Sequence, residues 1–203
     1  MGTARKMAQR VRINIDELLD LLARCAIREW EIFYYYTVLG PYLQDIGGAR
    51  LQSIIERARM EDCGHFERLV SFIFEMGGVV PLDFRRFPAP LASFLLPSSC
   101  LGEDQAPDER AILQALCGAE KYALQSYLDI HRLTEGKDAH TASLISSLLE
   151  DEIRHRRQLL AFLTAEARCL GRDLQVADVD YSPSVLNQAI SDLRTIEIFK
   201  VGT

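Results

Sequence analysis

The stretch Leu149-Glu-Asp-Glu152-Ile-Arg-His155 sets a carboxylate and an imidazole three residues apart inside an apolar helical pattern. Side chains three apart stand next to each other on a helix, so Glu152 and His155 can both reach one ion. Ile145, Leu148, Leu149, Leu159 and Phe162 lie one and two turns away on the same face, which makes it a core face. Asp62-Cys-Gly-His65 repeats the arrangement earlier in the chain, among Ile55, Ala58, Leu69 and Phe72.

Two further acids complete the pattern. Glu29 is in helical register with Leu22, Cys25, Ala26, Ile32, Phe33 and Tyr36, and Glu120 with Leu113, Leu116, Cys117, Ala123, Leu124 and Tyr127. Glu29 precedes Asp62 by 33 residues and Glu120 precedes Glu152 by 32, so the chain carries an acid, then acid-x-x-His, twice. Burying an unpaired carboxylate is costly enough that it usually takes up a proton instead. Four carboxylates become neutral when two divalent cations join them. Oxygen and imidazole donors suit iron or manganese, and one acid from each of two helices plus acid-x-x-His from two others is the di-iron carboxylate pattern of four-helix bundles. Neighbouring acids provide a contrast. Glu31 shares its face with Arg24 and Arg28, Glu61 with Arg57 and Arg68, and Asp151 with Ser147 and Arg154, so these three read as solvated.

Periodicity predicts the helices that carry the pattern, and no stretch alternates like a strand. The first runs from Asp16 to Leu43, with Asn14 as cap and Pro41 bending its last turn. A second runs from Ala49 to Met76 and stops at Gly77-Gly78. The third spans Asp108 to Gly136 and the fourth Ala139 to Leu170. Short loops make each pair an antiparallel hairpin, whereas the Pro-rich connection from Val79 to Pro107 is long enough to travel the height of the bundle. The expected fold class is all-α, a ferritin-like four-helix bundle with one long crossover. Residues 1–15 form a basic arm, 16–170 the bundle, and 171–203 a C-terminal tail with a short fifth helix possible over Ser184–Phe199.

Composition narrows the function. The chain has 203 residues, 48% hydrophobic and 26% charged, which suits a globular domain and excludes a disordered polymer. No apolar stretch approaches the ~20 residues that cross a bilayer. Met1–Arg12 lacks the apolar segment of a secretory signal, so a cytoplasmic protein with reduced thiols among its five cysteines is expected. The net charge of −6 argues against a nucleic-acid-binding body. Arg5, Lys6, Arg10 and Arg12 concentrate positive charge at the start; this arm reads as a frayed terminus in preference to a DNA contact.

Glu29-Trp-Glu-Ile-Phe-Tyr-Tyr-Tyr-Thr, Arg59-Met-Glu-Asp-Cys-Gly-His-Phe, Ala119-Glu-Lys-Tyr, Thr134-Glu-Gly-Lys-Asp and Glu152-Ile-Arg-His resemble the ferritin-like superfamily, and within it the Dps-like proteins of archaea and bacteria. The resemblance covers about Asp16 to Leu163. It implies a homo-oligomeric cage, commonly dodecameric, that oxidises Fe(II) with hydrogen peroxide or O2 and stores the ferric product. Position 62 is Asp, with an arm one methylene shorter than Glu. The Dps-like group tends to carry a cysteine pair near the site; Cys100 is suitably placed, but Tyr122 and His131 stand where its partner is expected, leaving Cys117 as the nearest substitute.

The expected centre therefore holds two iron ions, with manganese as the alternative, on Glu29, Asp62, His65, Glu120, Glu152 and His155. Asp62 and Glu152 are the expected bridges, Glu29 and Glu120 are terminal, and one His serves each metal. Tyr36 and Tyr127 stand either as electron or hydrogen-bond donors to the site or as aromatic core filling. Cys25, Cys63 and Cys117, each within a turn of an expected ligand, read as small core residues in preference to a redox role, and His131 and His140 as surface residues. The rival readings are a di-iron or di-manganese oxidoreductase without storage (a peroxidase, catalase or hydroxylase) and a metal-free helical interaction module, against which the buried acids argue.

Overall fold

Asn14 starts the bundle. Its side-chain oxygen accepts hydrogen bonds from the backbone N–H groups of Asp16 and Glu17, at 3.2 and 3.4 Å. Those two acids then sit where the helix dipole is positive. The computed structural model describes residues 3–43, 48–80 and 109–169. Within them a short helix α1 (Thr3–Arg10) precedes four long ones: α2 (Ile15–Leu39), α3 (Gly48–Glu75), α4 (Glu109–Thr134) and α5 (Ala139–Cys169). No strand occurs among the described residues, and no helix there is long and apolar enough to cross a membrane.

Local chemistry sets the helix ends. Pro41 has no N–H to donate back along α2, so the helix closes at Leu39 and tightens into a 3-10 turn over Gly40–Leu43. At the end of α3, Gly77 takes φ +76°. Gly78 lets α2 approach so closely that a Cβ there would lie 2.6 Å from Leu19 Cδ2. Asp138 opens α5: its carboxylate accepts from the backbone N–H groups of His140 and Thr141 and from the Thr141 hydroxyl.

The described residues up to Glu166 form one compact unit. Leu18, Leu22, Ile32, Leu51, Leu69, Ile112 and Leu148 are fully buried in it, each contributing ~1.5–3 kcal/mol over the exposed state. Side-chain pairs give the helix directions. Tyr36 reaches Glu120 and Tyr127 reaches Glu29, so α2 and α4 are antiparallel. Arg59 lies over Phe33 and Trp30 against Phe66, so α2 and α3 are antiparallel too. Arg68 meets Ser147 while Glu61 meets Arg154, which makes α3 and α5 antiparallel. It follows that α3 and α4 run the same way, and that α3 ends and α4 begins at opposite ends of the bundle. This is the single-crossover order expected from the sequence. The crossover itself (81–108) and the tail from 170 onward, including the possible fifth helix, lie outside the described residues.

Two expectations are corrected. The start of the basic arm is a docked helix, not a frayed terminus. Ala4 and Ala8 of α1 are fully buried, and Arg5 Nη1 donates to the Met76 carbonyl at 2.9 Å. That carbonyl is left open at the end of α3, where a cation also complements the helix dipole. His131 is buried, not on the surface. It stands one turn beyond Tyr127 on the stripe that carries Glu120, so the apolar face of α4 extends further than its sequence suggested. His140 is half exposed, as expected.

Candidate metal centre

The four long helices bring all six sequence-predicted residues to one place. Glu29 comes from α2, Asp62 and His65 from α3, Glu120 from α4, and Glu152 and His155 from α5. His65 is 2% exposed and the others are fully buried. They form two overlapping quartets, Glu29–Asp62–His65–Glu152 and Asp62–Glu120–Glu152–His155, each offering donor atoms within 4.8 Å of one another. Asp62 and Glu152 belong to both quartets. Each His lies in one, and so does each of Glu29 and Glu120.

Both imidazoles turn Nδ1 inward. His65 Nδ1 lies 3.2 Å from Glu29 Oε2 and 2.9 Å from Glu152 Oε1. His155 Nδ1 lies 3.4 Å from Asp62 Oδ1 and 3.8 Å from Glu120 Oε2. The rings are nearly parallel, with centroids 6.2 Å apart. The tyrosines cross between the halves. Tyr127 on α4 donates to Glu29 Oε1 at 2.7 Å, and Tyr36 on α2 donates to Glu120 Oε1. Their hydroxyls thus bond the two acids that lie in single quartets.

What remains unsatisfied tests the fit to a metal. Both oxygens of Asp62, both of Glu152, Glu120 Oε2 and His155 Nδ1 are buried and make no aligned hydrogen bond among the described residues; Glu152 Oε1 and Asp62 Oδ1 have only the misaligned approaches of His65 Nδ1, at 2.9 Å, and His155 Nδ1, at 3.4 Å. Native proteins leave few such atoms, because each costs about 1–3 kcal/mol or more when charged. Here they converge on one space, and they are hard oxygen and imidazole donors. The residues present fit two divalent first-row ions.

Electrostatics agrees. Burial pushes the Glu152 carboxyl up to about 8, and Glu29 and Asp62 add to the effect. Burial likewise raises Asp62 and Glu120 well above the carboxylate range. For His155 burial acts downward, but its acidic neighbours, Asp62 first among them, outweigh it and raise the imidazole to about 9. His65 is raised further, since Asp151, Glu152 and Glu29 together overcome its burial. Burial thus disfavours bare negative charge on these acids, which a proton or a cation would relieve. Cys25 and Cys117 are buried, free thiols. Burial pushes both up, Cys117 to about 12, so they remain protonated core residues.

Two acids read as solvated in the sequence also take part. His65 Nε2 is 3.2 Å from Asp151 Oδ2, and His155 Nε2 is 2.5 Å from Glu61 Oε2. Arg154 Nη2 donates to both, at 2.7 Å to Glu61 and 2.6 Å to Asp151. Each acid stands on the helix opposite the imidazole it holds, and fixes which ring nitrogen faces inward. Their side chains are 32% and 28% exposed, so a solvated position and a contact with a buried His coexist. The available signal was that each immediately precedes an acid-x-x-His motif, which makes the repeat acid-acid-x-x-His.

Comparison with known proteins follows the same lines. The sequence profile of the ferritin-like domain matches residues 19–169. The chain is 38% identical over 162 residues to the DNA protection during starvation protein of Pyrococcus furiosus, covering 80% of this chain and 85% of that protein. Among solved structures it is similar to the bacterioferritin-related protein of Bacteroides fragilis, described as a dodecameric thioferritin. The TM-score is 0.69 at 24% identity, with 82% of this chain and 95% of that one covered. Dps from Thermosynechococcus elongatus superposes with TM-score 0.53 at 16% identity over 73% and 90% of the two chains. Those two structures support the fold, while the profile match and the Pyrococcus relative extend to the sequence: the chain belongs to the ferritin-like family and to its Dps-like proteins.

Proposed function

We propose that the chain is a ferroxidase subunit that binds two Fe(II) between its four long helices, oxidises them with hydrogen peroxide or O2, and retains ferric iron in a homo-oligomeric cage. The observation that carries this reading is the set of buried carboxylate and imidazole atoms, without aligned hydrogen bonds, converging where two quartets overlap. Iron is the substrate. Asp62 and Glu152, common to both quartets, would serve both ions, with Glu29 and His65 completing one position and Glu120 and His155 the other. Manganese would meet the same donors, but Mn(II) resists oxidation by O2 near neutral pH where Fe(II) is readily oxidised, which favours iron as the substrate.

The chain's own groups arrange the chemistry. Peroxide takes one electron from each of two Fe(II) and, with two protons, leaves as two waters. Tyr36 and Tyr127 hold Glu120 and Glu29 by hydrogen bonds to one oxygen each, so that the second oxygen of each carboxylate would be available to an ion. The four acids are fully buried, so their charges act at low dielectric. Two Fe(III) carry more charge than the four carboxylates neutralise, and this excess favours release of product toward a store.

Replacing His65 with Ala tests the assignment. The variant should bind one Fe(II) where the native protein binds two under anaerobic conditions, and should oxidise iron at least tenfold more slowly. Oxidation at the native rate would remove the centre from the mechanism.

A further inference from the structure

The centre is built from a repeat with one exception. Glu29 and Glu120, Tyr36 and Tyr127, Glu61 and Asp151, Asp62 and Glu152, and His65 and His155 all form matched pairs. Two residues after Glu152 stands Arg154, and two residues after Asp62 stands Gly64. A Cβ on Gly64 would meet nothing within 4 Å, so the glycine is not imposed by crowding. The repeat thus provides one guanidinium for two outer acids.

That guanidinium serves both. Its Nη2 bonds Glu61 Oε2 and Asp151 Oδ1. The same Glu61 oxygen meets His155 Nε2, and the other Asp151 oxygen meets His65 Nε2. A continuous line of polar contacts runs from one imidazole to the other: His65, Asp151, Arg154, Glu61, His155. It crosses between α3 and α5 on the outer side of the rings, where Arg154 is 37% exposed. Without the guanidinium, two carboxylates would face each other across this seam and repel.

We propose that Arg154 is a positioning residue shared by both halves of the centre, coupling the two metal positions by holding Glu61 and Asp151, and through them both imidazoles, in one hydrogen-bonded line. The inference rests on the two-metal reading above and adds to it a device that makes the positions fill together. Each outer acid acts on one position: Glu61 on the position beside His155, Asp151 on the position beside His65. Arg154 acts on both. A role confined to packing the α3–α5 seam would not divide in this way.

The test is anaerobic titration of the full chain with Co(II), followed by its visible absorption and by calorimetry. The native protein should take two Co(II) per chain in one transition. Glu61→Gln and Asp151→Asn should each weaken one ion by about 10–100-fold, splitting the transition, as loss of a carboxylate behind a metal-bound imidazole does. Arg154→Ala should weaken both ions, and guanidinium in the buffer should restore part of the loss. Arg154→Lys keeps the charge but not the planar fork, and should weaken both ions by severalfold; it carries the test if the Ala variant does not fold. An Arg154→Lys or Arg154→Ala isotherm that superimposes on the native one, or that changes one ion alone, overturns the proposal. A native protein that takes up no Co(II) overturns the two-metal reading first, and the two failures are distinguished by that control.

Discussion

Loading the centre with metal should expel about four protons per chain when two divalent ions bind near neutral pH. The number comes from charge balance in a sealed core. Glu29, Asp62, Glu120 and Glu152 are fully buried, and together they offer four negative charges. His65 and His155 are raised by their acidic neighbours, His155 to about 9, which favours the imidazolium form of each near neutral pH. If the buried core is to be neutral, two imidazolium charges balance two carboxylates and the remaining two carboxyls keep their protons, in the direction in which burial raises Asp62, Glu120 and Glu152, the last to about 8. Two divalent cations then replace two imidazolium protons and two carboxyl protons, and the core stays neutral. The assay is calorimetry with Mn(II), which binds oxygen and imidazole donors without being oxidised by air during the run. Repeating it in buffers of different ionisation enthalpy yields the proton count from the slope. Release of fewer than about one proton per metal would refute the neutral-core account, and metal affinity independent of pH between 6 and 8 would refute it equally.

Three other outcomes follow from the same structure. The metal-free protein should lose stability as pH rises: the carboxyls raised by folding bind protons more tightly than in the unfolded chain, and the raised imidazoles contribute stability below about 6.5 that is lost through about 9. The lowered carboxyl of Asp151, near 2, has its window in acid and does not oppose this. A chelated sample should therefore melt lower at pH 8.5 than at pH 5.5, by on the order of 10 °C, and Mn(II) should remove most of the difference; equal melting points without metal would contradict the shifts. Tyr127→Phe removes the 2.7 Å bond to Glu29 and should lower stability by about 1–3 kcal/mol with the helix content unchanged, as thermal denaturation by circular dichroism would show. Arg5→Ala frees the Met76 carbonyl and should cost about 1 kcal/mol, a drop of roughly 2–4 °C; no change would mean that α1 is held by its buried alanines alone.

The helices and the six central residues were legible because both rest on local periodicity. A carboxylate on an apolar stripe must meet other stripes, and two acid-x-x-His motifs at matched spacing leave few ways to bury four charges. Glu61 and Asp151 were not legible as part of the centre. Their faces are polar in sequence, and which neighbour fills a polar face depends on the register between α3 and α5, which no single helix encodes. The same holds for α1: its three basic residues read as solvent-exposed, yet Ala4 and Ala8 are buried and Arg5 meets the end of α3, a partner 71 residues away. His131 reads as polar in isolation, but lies one turn from Tyr127, whose contact with Glu29 draws that end of α4 into the core.

The most direct test of the central claim is to give the metal-free protein Fe(II) and peroxide, separate the products by size-exclusion chromatography and measure iron across the elution. The account predicts iron far above two per chain, co-eluting with a large closed oligomer. Two or fewer irons per chain on a small species would contradict storage and leave a di-metal enzyme whose substrate diffuses in.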